Sequence, residues 1–351
     1  MVLTSLSITL ITMLTFSLSL AIKPTIKFRK FELQLFWIIP LIGAFFLIIF
    51  GVVPVALDRP ESLFYALTSS ARINPIKILI LFISISILSI VLDEAGFFKW
   101  MANYALQKAG TSQKRIFFSL YITISILTIF TSNDIVILTF TPFIAHFAKR
   151  ARINPLPYLI MNFIAANTWS VLLVIGNPTN IFLATSYAIS FFDYFLTMVL
   201  PTVVLSLTAL AMTYFLFRKS INQPIRAEKD PIQISLSKTL MIVGLFHLFG
   251  CTFLLSISNL IQVEMWLICM LFAISMTIFT LVYSLVRKKN VIGRVYARTP
   301  WNLIPFVLSM FTIVYGLELT GISSSIGRFL ESTSFSSPLL TVFQYGFLST
   351  F

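Results

Sequence analysis

The sequence predicts an all-α, polytopic membrane protein with a re-entrant hairpin, a broken helix and an inverted repeat whose second copy is incomplete. Three observations predict it. Apolar residues make up 58% of the 351 and charged residues 11%, with a mean hydropathy of +0.95, so membrane-length apolar stretches recur. Basic residues gather in a few intervals. Two short polar clusters, Thr131-Ser132-Asn133-Asp134 and Gly176-Asn177-Pro178-Thr179-Asn180, break stretches that otherwise read as hydrocarbon-embedded.

The predicted spans are 3–22, 35–55, 76–92, 155–190 (broken), 194–217, 239–257, 264–286 and 301–318, with a further interrupted apolar stretch at 116–148. Residues 1–22 lack a basic start and a small-residue cleavage site, which makes them a first membrane helix rather than a removed signal. Of 25 Lys and Arg, all but Arg59, Arg72, Lys77 and Arg328 fall within 23–30, 99–115, 149–152, 218–238 and 287–298. The positive-inside rule makes these five segments cytoplasmic and puts the N-terminus outside, in a plasma membrane. The net charge of +13 is therefore topological, and no nucleic-acid partner is expected.

On that topology the helix at 1–22 leads to a basic cytoplasmic turn, and the next returns outward to a charge-balanced loop containing Asp58, Arg59, Glu61 and Arg72. These make an N-terminal segment, 1–74. A first repeat occupies 75–217, with 95–110 as an interfacial amphipathic helix. Within it, 116–148 has basic flanks on both sides, Lys114-Arg115 and Lys149-Arg150. A single crossing would strand one flank outside, whereas a re-entrant hairpin satisfies both, with its tip at the helix-poor Thr131–Asp134. The helix 155–190 is broken where Gly176 and Pro178 interrupt the hydrogen-bond ladder. A hydrophilic loop at 218–238 separates the halves, linking helices fill 239–299, and 300–351 begins a second repeat.

The repeat rests on a shift of 225 residues: Pro75, Ser84, Leu92 and Gly96 meet Pro300, Ser309, Leu317 and Gly321, and Asp93 meets Glu318. The first copy starts outside and the second inside, which is the inverted arrangement of many secondary carriers. The counterpart of Ser132-Asn133-Asp134 would fall beyond Phe351, so the second copy reads as truncated.

Polar breaks at membrane depth line sites or water-filled cavities, because an unpaired polar group in hydrocarbon costs on the order of several kcal/mol. Asn and Thr supply donors and acceptors for oxyanions or neutral hydroxides, and half-helix N-termini favour anions. Ser132 and freed carbonyls suit a small cation. Asp134, the one carboxylate expected well inside the bilayer, can take a proton or balance a coupling ion. Plainer roles compete. Asn133 and Asp134 would also serve as helix caps, Pro178 as a kink, and Asn167 and Thr168 as interhelical glue. Asp93, Glu94 and Glu318 read as interfacial charges. Cys251 and Cys269 read as packing, and no metal-ligand spacing occurs.

The series Asn133-Asp134, Thr141-Pro142, Ala165-Ala166-Asn167-Thr168 and Gly176-Asn177-Pro178-Thr179-Asn180 resembles the arsenite permease and citrate-transporter-like branch of the ion transporter superfamily. The likeness covers roughly 35–330 and is sharpest over 130–185. It implies a scaffold and a mobile transport part in each repeat, with hairpin tips and unwound loops enclosing substrate near the midplane. Carried to this chain, Ser132, Asn133 and Asp134 form the first tip, Gly176, Asn177, Thr179 and Asn180 the opposing loop, and Thr131, Pro178, Asn167 and Thr168 their surroundings. It also implies homodimers through scaffold helices.

The expected function is gradient-coupled transport of a small anion or oxyanion, of arsenite type. A dicarboxylate or citrate carrier, a sodium/proton antiporter and a non-transporting remnant are the alternatives. No resident cofactor is expected, only coupling Na+ or H+. With no nucleotide-binding motif in the chain, ATP would enter through a separate ATPase subunit. Neither paired intramembrane carboxylates nor a His-Glu-x-x-His helix nor Gly-x-Ser-x-Gly occurs, so the sequence offers no enzyme signature.

Overall fold

The computed structural model describes residues 1–28, 31–56, 61–69, 74–223, 225, 235–334 and 337–348. Asp58, Arg59 and Arg72 of the charge-balanced loop, Arg29 and Lys30, residues 224 and 226–234 of the 218–238 loop, and residues 349–351 of the expected second repeat lie outside the described residues. In chain order come α1 (Val2–Ile22), strands β1 (Thr25–Phe28) and β2 (Phe31–Gln34), α2 (Leu35–Ile49), α3 (Leu63–Thr68), α4 (Pro75–Glu94) and α5 (Phe97–Ala109). Then follow α6 (Gln113–Phe130), α7 (Asn133–Ala151), α8 (Leu156–Trp169), a 3-10 turn at Val174–Gly176, α9 (Pro178–Ser186) and α10 (Phe191–Ile221). The rest is α11 (Lys238–Ser256), α12 (Met265–Val286), α13 (Val291–Arg298), α14 (Leu303–Leu319), α15 (Ile322–Ser332) and α16 (Pro338–Leu348).

About 80% of the described residues are helical, and among them seven segments are long and apolar enough to cross a membrane. The last of them, Val291–Leu319, joins α13 to α14 across a break at 299–302. This is an all-α multi-pass membrane protein. One detail differs from the expected basic turn after α1: Thr25–Phe28 pairs antiparallel with Phe31–Gln34, with Ile26 opposite Leu33. The β-branched Thr25 and Ile26 and the alternation of Ile26 and Phe28 with Lys27 suit a two-residue period better than a loop.

The chain divides into two compact units, Met1–Ile76 with Trp301–Phe351, and Lys77–Pro300. In the first, α14 packs on α2 and α1 around Ala44, Leu47, Val52, Val53, Ile313 and Tyr315. Thr12 closes on Gly43, where a side chain would overlap its hydroxyl, and Ser5 Oγ donates to the Gly316 carbonyl at 3.3 Å.

The second unit carries both polar clusters. Helix α8 is its ruler. At one end Tyr158 donates to Gln113 Oε1 at the start of α6 (3.0 Å), and further on Trp169 Nε1 donates to Tyr121 (2.9 Å). Against α7 the order reverses: Asn162 donates to Thr141 (3.3 Å) and Asn167 meets Asn133 (3.2 Å). Helices α6 and α7 therefore run antiparallel along α8, as two arms joined at Thr131–Ser132. Tyr121 also donates to the Ser206 carbonyl of α10 (3.0 Å), fixing the α6 arm from its other side.

Local structure recurs at the 225-residue shift. Helix α4, a left-handed Gly96 (φ 87°) and amphipathic α5 correspond to α14, a left-handed Gly321 (φ 74°) and amphipathic α15. Helix α16 starts at Pro338, the position matching Gln113 at the start of α6.

Candidate functional site: the hairpin tip and the unwound loop

Two helices end and begin at the tip. Thr131 closes α6 by donating Oγ1 to the Leu127 carbonyl at 2.6 Å, which uses its hydroxyl locally. Ser132 takes the N-cap position of α7 yet makes no side-chain capping bond. Its amide instead donates to Ser89 Oγ of α4 (3.4 Å). Ser132 Oγ and Asn133 Oδ1 are buried without a hydrogen-bond partner. One turn away along α6 and α4, Thr128 and Ser86 are fully buried and their hydroxyls are likewise unpartnered. Buried polar atoms are rarely left so, and four of them lie at or within one turn of this helix break and the α4 segment behind it. Capping therefore does not account for Ser132 or Asn133. Asp134 sits in the first turn of α7 with its side chain exposed.

The second cluster supports itself. Helix α8 ends at Trp169, seven positions before Gly176, and apart from the 3-10 turn at Val174–Gly176 the chain is not helical again until Pro178. Asn177 caps α9 by accepting the Asn180 amide at 3.0 Å. Pro178 occupies the first turn of α9, where a missing N–H costs nothing, so it starts a helix rather than kinking one. Asn180, buried, donates Nδ2 to the freed carbonyls of Ser170 (2.7 Å) and Leu173 (2.9 Å). Gly176 passes so close to Ser170 that a methyl group would overlap its carbonyl oxygen. Thr179 is exposed.

A chain of polar contacts joins the clusters. Asn133 Nδ2 donates to Asn167 Oδ1 (3.2 Å), and Ser170 Oγ donates to the Asn167 carbonyl (3.0 Å). Asn177 Nδ2 then reaches Ser170 Oγ (3.4 Å). Asn167 is thus interhelical glue placed between tip and loop, whereas Thr168 bonds back to Ile164 of its own helix (2.9 Å). Ser86, Ser89 and Ser170 escape a motif reading because serine in an apolar helix is ordinary. The spacing of Ser86 and Ser89, one turn apart on a single face, is the signal that would have found them.

A charged group lies at the far end of α4. Arg298 donates to Asp93 Oδ2 (2.5 Å) and Glu94 Oε1 (2.8 Å), and Arg294 to Glu94 Oε2 (2.6 Å). Thr139 of α7 donates to the same Asp93 oxygen (2.8 Å). Asp93 is thus buried in an ion-pair network instead of standing as a free interfacial charge, because the cationic turn of α13 folds back onto it.

Known proteins share this arrangement of sequence. The chain is 26% identical over 293 residues to an arsenical pump membrane protein of Yersinia enterocolitica, covering 77% of this chain and 63% of that protein. It is 26% identical over 286 residues to an arsenical pump membrane protein of Escherichia coli K12, with the same coverages. An uncharacterized transporter of Mycobacterium tuberculosis is 21% identical over 270 residues, 76% of this chain and 61% of that one. The chain thus spans less than two thirds of the length of these relatives. Residues 1–351 match the citrate transporter family from end to end, and the chain belongs to that family.

Proposed function

We propose that this chain forms the transport unit of an ion-gradient-coupled membrane carrier for a small anion or oxyanion, with arsenite as the substrate class. The observation that carries the proposal is the pair of buried, unpartnered acceptors, Ser132 Oγ and Asn133 Oδ1, at the break between antiparallel helices. A trivalent arsenic hydroxide presents hydroxyls that both donate and accept, which Asn133 Oδ1 and the Ser132 hydroxyl complement. The positive end of α7 adds a field favourable to an anion. Its first-turn carboxylate, Asp134, would take the proton or balance the Na+ that couples the cycle.

The self-satisfied loop from Ser170 to Asn180 then acts as a rigid wall, and the Asn133–Asn167–Ser170 contacts transmit tip position to it. In this reading the chain lies in a plasma membrane with its N-terminus outside, and homodimers and a separate ATPase subunit are its partners. The names of its relatives support arsenite. The family it belongs to supports a second reading, citrate or a related carboxylate.

Everted membrane vesicles containing the full chain decide between them. Gradient-dependent uptake of arsenite, abolished by collapsing the H+ or Na+ gradient and unaffected by excess citrate, is expected. Uptake of citrate but not arsenite would move the assignment to the second reading. Flux no greater than in vesicles lacking the chain would refute both.

A further inference from the structure

Helices α11 and α12 carry a feature that the hairpin reading leaves unused. Cys251 and Cys269 are both fully buried, one on each helix, and the Cys251 thiol points at Cys269 Sγ at 3.8 Å. Both are free thiols. We propose that they form a covalent binding site for trivalent arsenic, separate from the hairpin tip.

The ligand class follows from the donor set and its surroundings. Among the described residues, no group of three or more His, Cys, Asp and Glu stands ready to hold a metal ion. A tetrahedral zinc site, which needs four ligands, is therefore not built here. Soft thiols one bridging atom apart select a soft, thiophilic centre. The site is flanked by apolar residues such as Leu248, Leu255 and Ala273, where leaving a net charge is costly.

Trivalent arsenic meets both conditions. Two thiols and one As(OH)3 give (RS)2AsOH and two waters. Two S–H and two As–O bonds break, two As–S and two O–H bonds form, and neither oxidation state nor net charge changes. A divalent soft cation would instead release two protons into hydrocarbon. Disulfide formation would need an oxidant that the fold does not hold.

The site also touches the transport unit. Phe249, two residues before Cys251, packs edge-on against Phe130 beside the hairpin tip, with centroids 5.6 Å apart. A bridge between α11 and α12 would therefore stiffen the helix that the tip leans on.

Phenylarsine oxide tests the site, because its phenyl-arsenic centre binds stably only to two thiols together. The purified full chain, folded in detergent, is expected to gain one phenylarsenic group by intact mass. The adduct should resist excess monothiol, release on adding 2,3-dimercaptopropanol, and vanish in both C251S and C269S. X-ray absorption of the adduct should show two sulfur neighbours on arsenic. A folded wild-type chain that takes no adduct, or takes one only after denaturation, would overturn the proposal without recourse to variants. So would an adduct that survives in either variant or shows only oxygen neighbours. None of these results depends on transport, so failure here leaves the hairpin reading standing.

Discussion

Four asparagines in one site do three different jobs. Asn177 caps a helix, Asn180 holds two freed carbonyls, and Asn133 with Asn167 links two helices while leaving Asn133 Oδ1 unpartnered. Asn180→Ala strands the Ser170 carbonyl in a buried loop and leaves the Leu173 carbonyl with the Gly176 amide alone (3.1 Å). It should lower unfolding stability in detergent by about 1–3 kcal/mol, measured by thermal unfolding of the purified chain. Gly176→Ala forces a methyl group into the Ser170 carbonyl and should cost a similar amount, about 1–3 kcal/mol, by the same measurement. A melting temperature unchanged in either variant would show that the loop relaxes around the substitution. The sequence points to this cluster because Gly, Pro and Asn cannot continue a helix unaided. It does not reveal that the α-helix ends before Ser170, since Val171 to Ile175 are as apolar as any helix and the bond that holds the freed Ser170 carbonyl comes from Asn180, ten residues on.

At the scale of elements, the α6–α7 pair shows turn chemistry and charge together setting a reversal at Thr131–Ser132. What sequence periodicity does not convey is that α4 lies behind the tip, presenting Ser89 to the Ser132 amide. That is long-range packing between segments 43 residues apart, and serine alone carries no such address. The same limit hides the α4–α13 network, where two carboxylates meet two arginines 200 to 205 positions away. Arg298 bonds both Asp93 and Glu94 and is one-third exposed, whereas Arg294 bonds Glu94 alone and is half exposed. Arg298→Ala should therefore destabilise by about 1.5–3 kcal/mol, and Arg294→Ala by under about 1 kcal/mol, as befits a solvent-screened pair. Equal effects in thermal unfolding would contradict the ranking.

At the scale of the whole molecule, the ion pairs sort the two ends of the second unit. Lys77, at the start of α4, pairs with Glu264 before α12 at 2.5 Å, while the arginines of α13 hold the other end of α4. Twenty helical residues separate the ends by about 30 Å, a bilayer's hydrocarbon thickness. The Lys77 bond holds the Glu264 carboxyl below its ordinary range. A depressed carboxylate stabilises the fold above its unfolded pKa, and that contribution is lost as pH falls through the lower folded value. With Lys/Arg bias setting orientation, a cysteine at Lys288 should react with an impermeant maleimide only in everted vesicles, and one at Gln262 only in right-side-out ones. Both positions are exposed, and the reverse pattern would invert the topology. Composition alone makes the membrane class legible, whereas the grouping of Trp301–Phe351 with the first 76 residues depends on packing that no local pattern records.

If the unpartnered atoms of the hairpin tip serve a ligand rather than the fold, Ser132→Ala separates the two roles. The hydroxyl caps nothing and bonds nothing within the protein, so its removal should leave unfolding stability within about 0.5 kcal/mol of wild type. Arsenite flux into everted vesicles, measured at matched protein levels, should fall about tenfold, the equivalent of one hydrogen bond of about 1.4 kcal/mol. Wild-type flux from a chain of unchanged stability would contradict the account, because the tip would then be neither a structural cap nor a binding site.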